Sequence, residues 1–576
     1  MKITKRIVIT ITAVLSFAVS CEDNFLEVTP TASITDAQLT SKAGLEGLLI
    51  GGYSMLPGRG GFYAGATNWL WGGILGGDAN KGTNAGDQAQ VNEIQAYNPL
   101  PTNESIQQKY QTVYEGIARI NALIRLLPDG AVDTGEPNYK TRIEAEAKFL
   151  RGFYYFELKK IYNNTPYIDE TVDYGKGINA VANDVDLWPK IEADLSFAYT
   201  NLPETQSAAG RVNKWAAGAY LAKAYLFQKK YTEARTLFTT IIANGKTANN
   251  KAYNLVPRYG DLFRASNDNS EESVFAIQSA AGTGTINNAN PDFVLNFPYN
   301  GGPAGCCGFN QPSFDLVNSF RTVGGLPILD GTYNSAANEV KSDQGVAATA
   351  AFTPDAGTVD PRLDHAVGRR GIPYLDHGKH PGIAWIRDQN YGGPYAPKKW
   401  IWTKAEEAGG AVDKSSWTPG YTAVNYPLMR FADVLLMAAE CEVEVGSLET
   451  ARTYVNRIRT RAANTAGFVM DGTNPAANYN ISLYTTPWTD QTVARNAVRM
   501  ERRLELSDEG HRFFDLVRWG IAASTLNAYL NYERTKVSAS PFNGASFTAN
   551  KSEFMPIPQR EIDIVGAAVL KQNPGY

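Results

Sequence analysis

Cysteine is scarce in this chain: Cys21, Cys306, Cys307 and Cys441 are the only four in 576 residues. So few thiols exclude a disulfide-built scaffold, the route by which small secreted domains become stable. Histidine is equally rare, with four copies. His377 and His380 form a His-x-x-His, but no glutamate follows at the zinc-protease spacing, and His365 and His511 offer no evident third ligand. The pair reads as solvated loop, and no metal is expected. No basic block occurs and the formal net charge is −4. A nucleic-acid partner would leave a basic footprint, so none is expected. Beyond the first 20 residues no apolar run could cross a bilayer. Gly-x-Ser-x-Gly and Walker loops are missing, and Gly58-Arg59-Gly60-Gly61 lacks the strand-then-helix context of a phosphate cradle. No cofactor is expected.

What is present begins around Cys21. Lys2, Lys5 and Arg6 make a basic start, Ile7 to Val19 an apolar run, and small Ser20 precedes the cysteine. This is a secretory signal, too short for the ~20 residues of a spanning helix. Cysteine at the cut predicts a bacterial lipoprotein, with residues 1–20 removed, lipid on Cys21 and 21–35 as an extended tether. Several acyl chains at one site give the stable anchoring that one chain does not. Ala18 stands where leucine is commonest in such a box. An ordinary signal peptide with an incidental cysteine is the alternative.

Past the tether, apolar spacing predicts helices over 36–56 (capped by Asp36), 106–127, 140–162, 188–202, 213–227 and 232–243. The last two carry a tetratricopeptide pattern: Leu221, Ala222, Tyr225, Ala234 and Phe238. A weaker copy lies downstream at Ala438, Ala439, Ala451, Val455 and Ile458, with Glu442 where an aromatic is usual. Stacked helix pairs of this kind bury their faces only against neighbours. The stretch from Lys246 to Tyr426 is irregular and rich in Gly, Pro, Asn and Asp, with β-prone pieces at 273–279 and 383–386. Long loops of this sort are usually functional. A charged helix over 496–506, a segment over 510–519 and an apolar tail over 554–569 close the chain.

These pieces resemble, in order, the SusD/RagB family of Bacteroidetes outer-membrane glycan-binding lipoproteins. The resemblance rests on Phe25-Leu26-Glu27 with Pro30, Gly52-Tyr53, Gly77-Asp78-Ala79-Asn80-Lys81-Gly82 and the run Glu146 to Leu158. Downstream it rests on Asp360-Pro361-Arg362-Leu363, Tyr426 to Leu436, Glu501 to Leu506, Gly510 to Gly520, Pro556-Ile557-Pro558 and Asn573 to Tyr576. It implies a mainly α fold, a tetratricopeptide-like helical scaffold with a large loop-rich, partly β portion packed on it. One SusD-like domain would span 36–576: an N-terminal part to about 245, a loop-rich ligand-binding part over about 246–426, and a C-terminal helical part. The resemblance also implies a non-catalytic surface lipoprotein that delivers oligosaccharides to a SusC-like, TonB-dependent outer-membrane transporter. Glu22-Asp23 resembles the acidic tag that accompanies export to the outer face in these bacteria. A surface glycoside hydrolase and a protein-binding adhesin are the rival readings.

The charged cluster from Arg499 to Arg518 tempts one toward paired-carboxylate catalysis. Its alternating signs at helical spacing read more simply as scaffold ion pairs, and Cys441 as a small buried apolar residue. The aromatic content, 30 Tyr, 24 Phe and 10 Trp, suits both a large core and a stacking surface. Sugar sites combine exposed aromatics with short polar residues on loops. Three stretches have that makeup: Asn68 to Asp87, Asn287 to Gln311 and Trp385 to Trp402. The expected glycan contacts are Asn68, Trp69, Trp71, Asp78, Tyr299, Cys306, Cys307, Phe309, Asn310, Trp385, Arg387 and Tyr391. Adjacent Cys306 and Cys307, flanked by Gly305 and Gly308, stand either as a vicinal disulfide or as two thiols. Their Cα atoms lie at most ~3.8 Å apart, closer than the usual bridge.

Overall fold

The computed structural model describes residues 36–127, 136–172, 180–283, 290, 292, 294–414, 418, 420–538 and 541–576. Cys21, Asn287 and Phe293 lie outside them. The helix expected over 36–56 is broken. A short turn at Asp36–Leu39 precedes α1 (Lys42–Tyr53), whose cap is Ser41: its hydroxyl accepts from Gly44 N at 3.2 Å.

From there the helices follow the apolar spacing closely. They are α2 (Glu104–Leu126), α3 (Tyr139–Tyr162), α4 (Trp188–Asn201), α5 (Lys214–Phe227) and α6 (Tyr231–Asn244). After the irregular portion come α7 (Phe431–Val445), α8 (Leu448–Ala462), α9 (Gln491–Glu505), α10 (Arg512–Arg518) and α11 (Ala522–Glu533). Each of α1 to α6 packs on its successor, except that α1 also reaches α3. Then α6 packs on α7, and α7 on α8 and α9. The two tetratricopeptide copies are therefore spatial neighbours although far apart in sequence. Ala222, Ala234, Phe238, Ala439, Ala451, Val455 and Ile458 are all fully buried between them and their partners. Glu442, the residue that weakens the second copy, ties it to the first: it accepts from Arg235 Nε at 2.7 Å and from Ser447 N at 2.8 Å.

Four strands matter for the loop-rich portion: β1 (Ala79–Gly82), β2 (Ser273–Ile277), β3 (Phe309–Pro312) and β4 (Tyr426–Arg430). β1 pairs antiparallel with β3, and β2 with β4. The β-prone piece 383–386 is instead a 3-10 turn, Gly382–Trp385. Gly382 there has φ +79°, a value that suits a turn rather than a strand.

The charged C-terminal cluster is an ion-paired core. Glu505 accepts from Arg362 Nη1 at 3.0 Å, from Arg430 Nη1 at 2.5 Å and from Arg461 Nη2. Glu501 holds Arg459 at 2.8 Å and Arg362 at 2.7 Å. Glu509 takes both Arg430, at 2.8 Å, and Lys399, at 2.8 Å. Arg518 pairs with Glu440 and Asp515. All of these carboxylates are buried. A carboxylate shut away from solvent and held by guanidinium groups cannot meet a glycosidic bond, which removes the hydrolase reading of this cluster. Burial alone would raise the Glu505 pKa, but Arg461, Arg430 and Arg362 outweigh it and hold the carboxyl well below its usual range.

Candidate functional site

The three stretches with sugar-binding makeup converge. β1 and β3 bring the first two together, with Gly82 opposite Phe309. The third is stitched to the second by Tyr299 N, which donates to Trp385 O at 2.8 Å. Trp385 is half-buried, with its ring edge-on to Tyr374 at 5.4 Å and to His380 at 5.3 Å. Tyr299 is half-buried, and the Arg387 guanidinium lies 5.2 Å from its ring centroid. Cys306 is half-buried and Cys307 is nearly covered, at 9 % exposure. The patch is thus one indole, one phenol, the Cys306–Cys307 loop and one guanidinium.

A set of part-buried and exposed polar contacts frames this patch. Lys81 runs inside the turn that follows β1, and its ammonium donates to the carbonyls of Asn84 and Asp87, both at 2.8 Å. Burial lowers the Lys81 pKa to about 8. Asn84 Oδ1 accepts from Gly86 N at 3.1 Å and Asp87 N at 3.0 Å, the side-chain turn that favours asparagine in loops. Asp87 then receives Arg387 Nη1 at 2.5 Å and Thr83 Oγ1 at 2.9 Å. On the far side, Asp388 caps the turn Gln389–Gly392 by accepting from Asn390 N at 3.0 Å. Gly308 has φ +82°, and a Cβ there would sit 3.3 Å from Tyr299 Cβ and 3.9 Å from Arg387 Cβ. The positive φ favours glycine here, and the tight approach to Tyr299 adds to that preference.

Most of the other expected contacts are structural. Trp69 and Trp71 are core residues, 3 % and 1 % exposed. Their indole N–H groups are spent on carbonyls, Trp69 on Phe62 at 2.9 Å and Trp71 on Tyr63 at 2.7 Å. Asn68 is buried between Glu157, to which it donates at 2.9 Å, and Lys109. Asp78 is buried 3.6 Å from Arg503. Phe309 is buried in β3. Asn310, also buried, donates to Asp508 at 2.8 Å. Burial, with the charge of Asp78 adding to it, pushes the Asp508 carboxyl up to about 7. Tyr391 is buried over Lys81 and hydrogen-bonds Asn92 and Gln95. Of the twelve, Tyr299, Cys306, Trp385 and Arg387 keep substantial exposure.

Sequence reading passed over Asp87, Thr83 and Lys81 as individual residues. The signal that could have found Asp87 is its turn context, Asn84-Ala85-Gly86-Asp87. Next to Asp87 a polar cleft of about 500 Å³ opens, lined by Phe62, Gln88, Gln107, Gln108, Gln111 and Arg560. His377 and His380 serve the backbone. His377 Nε2 lies 2.9 Å from Trp402 O, and His380 Nδ1 accepts from Gly382 N at 3.1 Å.

The structure joins Cys306 and Cys307 in a disulfide. Alkylating the denatured, unreduced chain should therefore label Cys441 and leave Cys306 and Cys307 unlabelled until reductant is added. Intact mass reads this directly, and labelling of all three without reductant would show two thiols.

A helical scaffold carrying an aromatic, loop-built surface patch defines the class. The SusD family profile matches residues 271–576, and a second profile, described as "starch-binding associating with outer membrane", matches residues 25–226. The chain belongs to the SusD/RagB family. It is 25 % identical over 603 residues to a SusD-like protein, P2, of Formosa agariphila, an alignment covering 99 % of this chain and 100 % of that protein. Its fold matches a SusD homolog from Bacteroides thetaiotaomicron with TM-score 0.67 at 22 % identity, over 94 % of this chain and 99 % of the other. It also matches surface glycan-binding protein A of Bacteroides thetaiotaomicron, solved with laminarihexaose, with TM-score 0.61 at 20 % identity, over 92 % and 99 %.

Proposed function

We propose that this chain is a non-catalytic glycan-binding lipoprotein that captures neutral oligosaccharides at the patch of Trp385, Tyr299, Cys306 and Arg387. The observation that carries this reading is the convergence of three separate loops on one half-exposed aromatic surface. The charge of Arg387 is already met by Asp87, so the patch offers ring faces and hydrogen bonds rather than net charge. That suits uncharged sugars, whose C–H faces stack on Trp and Tyr. The solved relative bound to laminarihexaose supports the ligand class, and the starch-binding profile supports it independently.

The reading continues with a single domain over 36–576 on a lipidated tether, anchored to the outer face of the outer membrane. There it hands its ligand to a SusC-like, TonB-dependent transporter. Family membership supports this, and so does the signal ending at Cys21. Titrating the chain from Glu22 onward with laminarin- and starch-derived oligosaccharides in a calorimeter tests binding. Chromatography of the same mixtures tests catalysis. Failure to bind any neutral glycan would sink the proposal, and accumulation of shorter products would make the protein a hydrolase.

Anchoring is tested separately. Cys21→Ala should abolish fatty-acid labelling and move the protein from the outer-membrane fraction to the soluble one. Unchanged labelling would mean that the lipid is elsewhere.

A further inference from the structure

Arg499 and Arg503 sit four residues apart on α9, so they project from one helix face, an arrangement in which like charges repel. Arg512, the first residue of α10, joins them around a cavity of about 290 Å³. The cavity is lined by these three guanidinium groups and a single carboxylate, Asp315, together with Trp519, Tyr529 and Met500. Asp315 is already committed: it accepts from Arg503 Nη2 and from Asn334 Nδ2. The Nε atoms of Arg499, Arg503 and Arg512 are all shut away from solvent with no hydrogen-bond partner. Arg503 is 4 % exposed, and its Nε comes no closer than 3.6 Å to Asp78.

Asp315 and Asp78 answer Arg503, which leaves Arg499 and Arg512 as the excess. Glu440, the carboxylate whose charge acts most strongly on Arg499, is held by Arg518 and by Trp519 Nε1 at 3.0 Å. Burial raises the Glu533 carboxyl to about 8, with Asp315 adding to the effect, so it brings little negative charge at neutral pH. Burial, and then the charge of Arg503, lowers Arg512 to about 10. The Arg499 guanidinium sits over Trp519, 4.8 Å from the ring centroid, and both side chains line the cavity.

We infer that this cavity is a second ligand site, for a small molecule bearing an oxyanion, with Arg499 and Arg512 taking the anionic group, Arg503 already held by Tyr333 and Asp315, and Trp519 and Tyr529 lying against the remainder. Guanidinium donors in a fixed fork recognise carboxylate, sulfate and phosphate groups alike. The anion comes either as a free inorganic ion or as the acidic group of a sugar, and the two sources are separable by experiment. The site stands on α9 and α10, apart from the aromatic patch, and does not rest on the glycan reading.

Thermal unfolding is measured with rising sulfate, phosphate, glucuronate or glucose, each at ionic strength matched with chloride. A saturable rise with sulfate and phosphate alone assigns a free oxyanion. A saturable rise with glucuronate assigns a sugar acid. In Arg499→Gln and Arg512→Gln the half-saturating concentration should increase at least tenfold. A rise no larger than that in chloride for every anion would overturn the site, as would an unchanged response in the double variant. Should the variants not fold, selenate soaked into wild-type crystals decides: its anomalous peak belongs within hydrogen-bond distance of Arg499 and Arg512, and a cavity without one refutes the inference.

Discussion

Glu505→Ala should destabilise the folded chain by about 3–5 kcal/mol, the cost of removing one partner from a buried ion pair. Glu505 is fully buried and is shared by Arg362, Arg430 and Arg461. Those three come from the loop-rich portion, from β4 and from α8, so a single carboxylate joins segments that are remote in sequence. Alanine leaves guanidinium groups in the core with too few acceptors. Denaturant titration followed by tryptophan fluorescence measures the loss. The surface pair Lys379–Asp471, at 2.7 Å and roughly half-exposed on both sides, provides the contrast. Asp471→Ala should change stability by no more than about 1 kcal/mol. Equal, small effects at both positions would mean that the buried network contributes little beyond filling space.

Trp385→Ala and Tyr299→Ala should each weaken glycan binding at least fivefold, about 1 kcal/mol of lost stacking. The double variant should bind beyond the range of calorimetry. Trp71→Ala supplies the opposite case. Its indole is 1 % exposed, and truncating a buried tryptophan costs about 3–5 kcal/mol. That variant should unfold early yet, where folded, bind glycan as wild type does. Wild-type affinity in both Trp385→Ala and Tyr299→Ala would move the ligand off this patch.

The helices were legible because their apolar spacing is a direct image of burial. Residues 140–162 were expected and Tyr139–Tyr162 is found, and 188–202 matches Trp188–Asn201. The tetratricopeptide offsets were legible for the same reason. Exposure in the glycine-rich stretch was not. Gly72-Gly73 and Gly76-Gly77 read as an open loop, yet Trp69–Ile74 is a π-helical turn buried throughout. An added Cβ at Gly72 would fall 1.8 Å from the Gly510 carbonyl oxygen. Glycine here marks backbone packed against backbone, not freedom, and composition alone does not distinguish the two. Trp69 and Trp71 are buried by that packing, whereas Trp385 stays half-exposed. The loop Tyr299 to Gly308 and the turn at Asn84 to Asp87 are brought together by the β1–β3 ladder and by Arg387, a pairing of distant segments that no local pattern announces.

The β2–β4 ladder has a consequence for how such a protein can change. Ile277 lies opposite Tyr426, so the chain leaves the helical stack and rejoins it at the same point. Closing so long an excursion becomes only slightly harder as it lengthens, since the entropy cost grows with the logarithm of its length. Arg362 to Glu505, Lys399 to Glu509 and Asp315 to Arg503 are among the points that tie it to the C-terminal helices. Exposed loops between such ties can change in length with little strain on the helices. On the proposed reading, the loops that would set ligand preference can vary while the buried ties beneath them stay fixed.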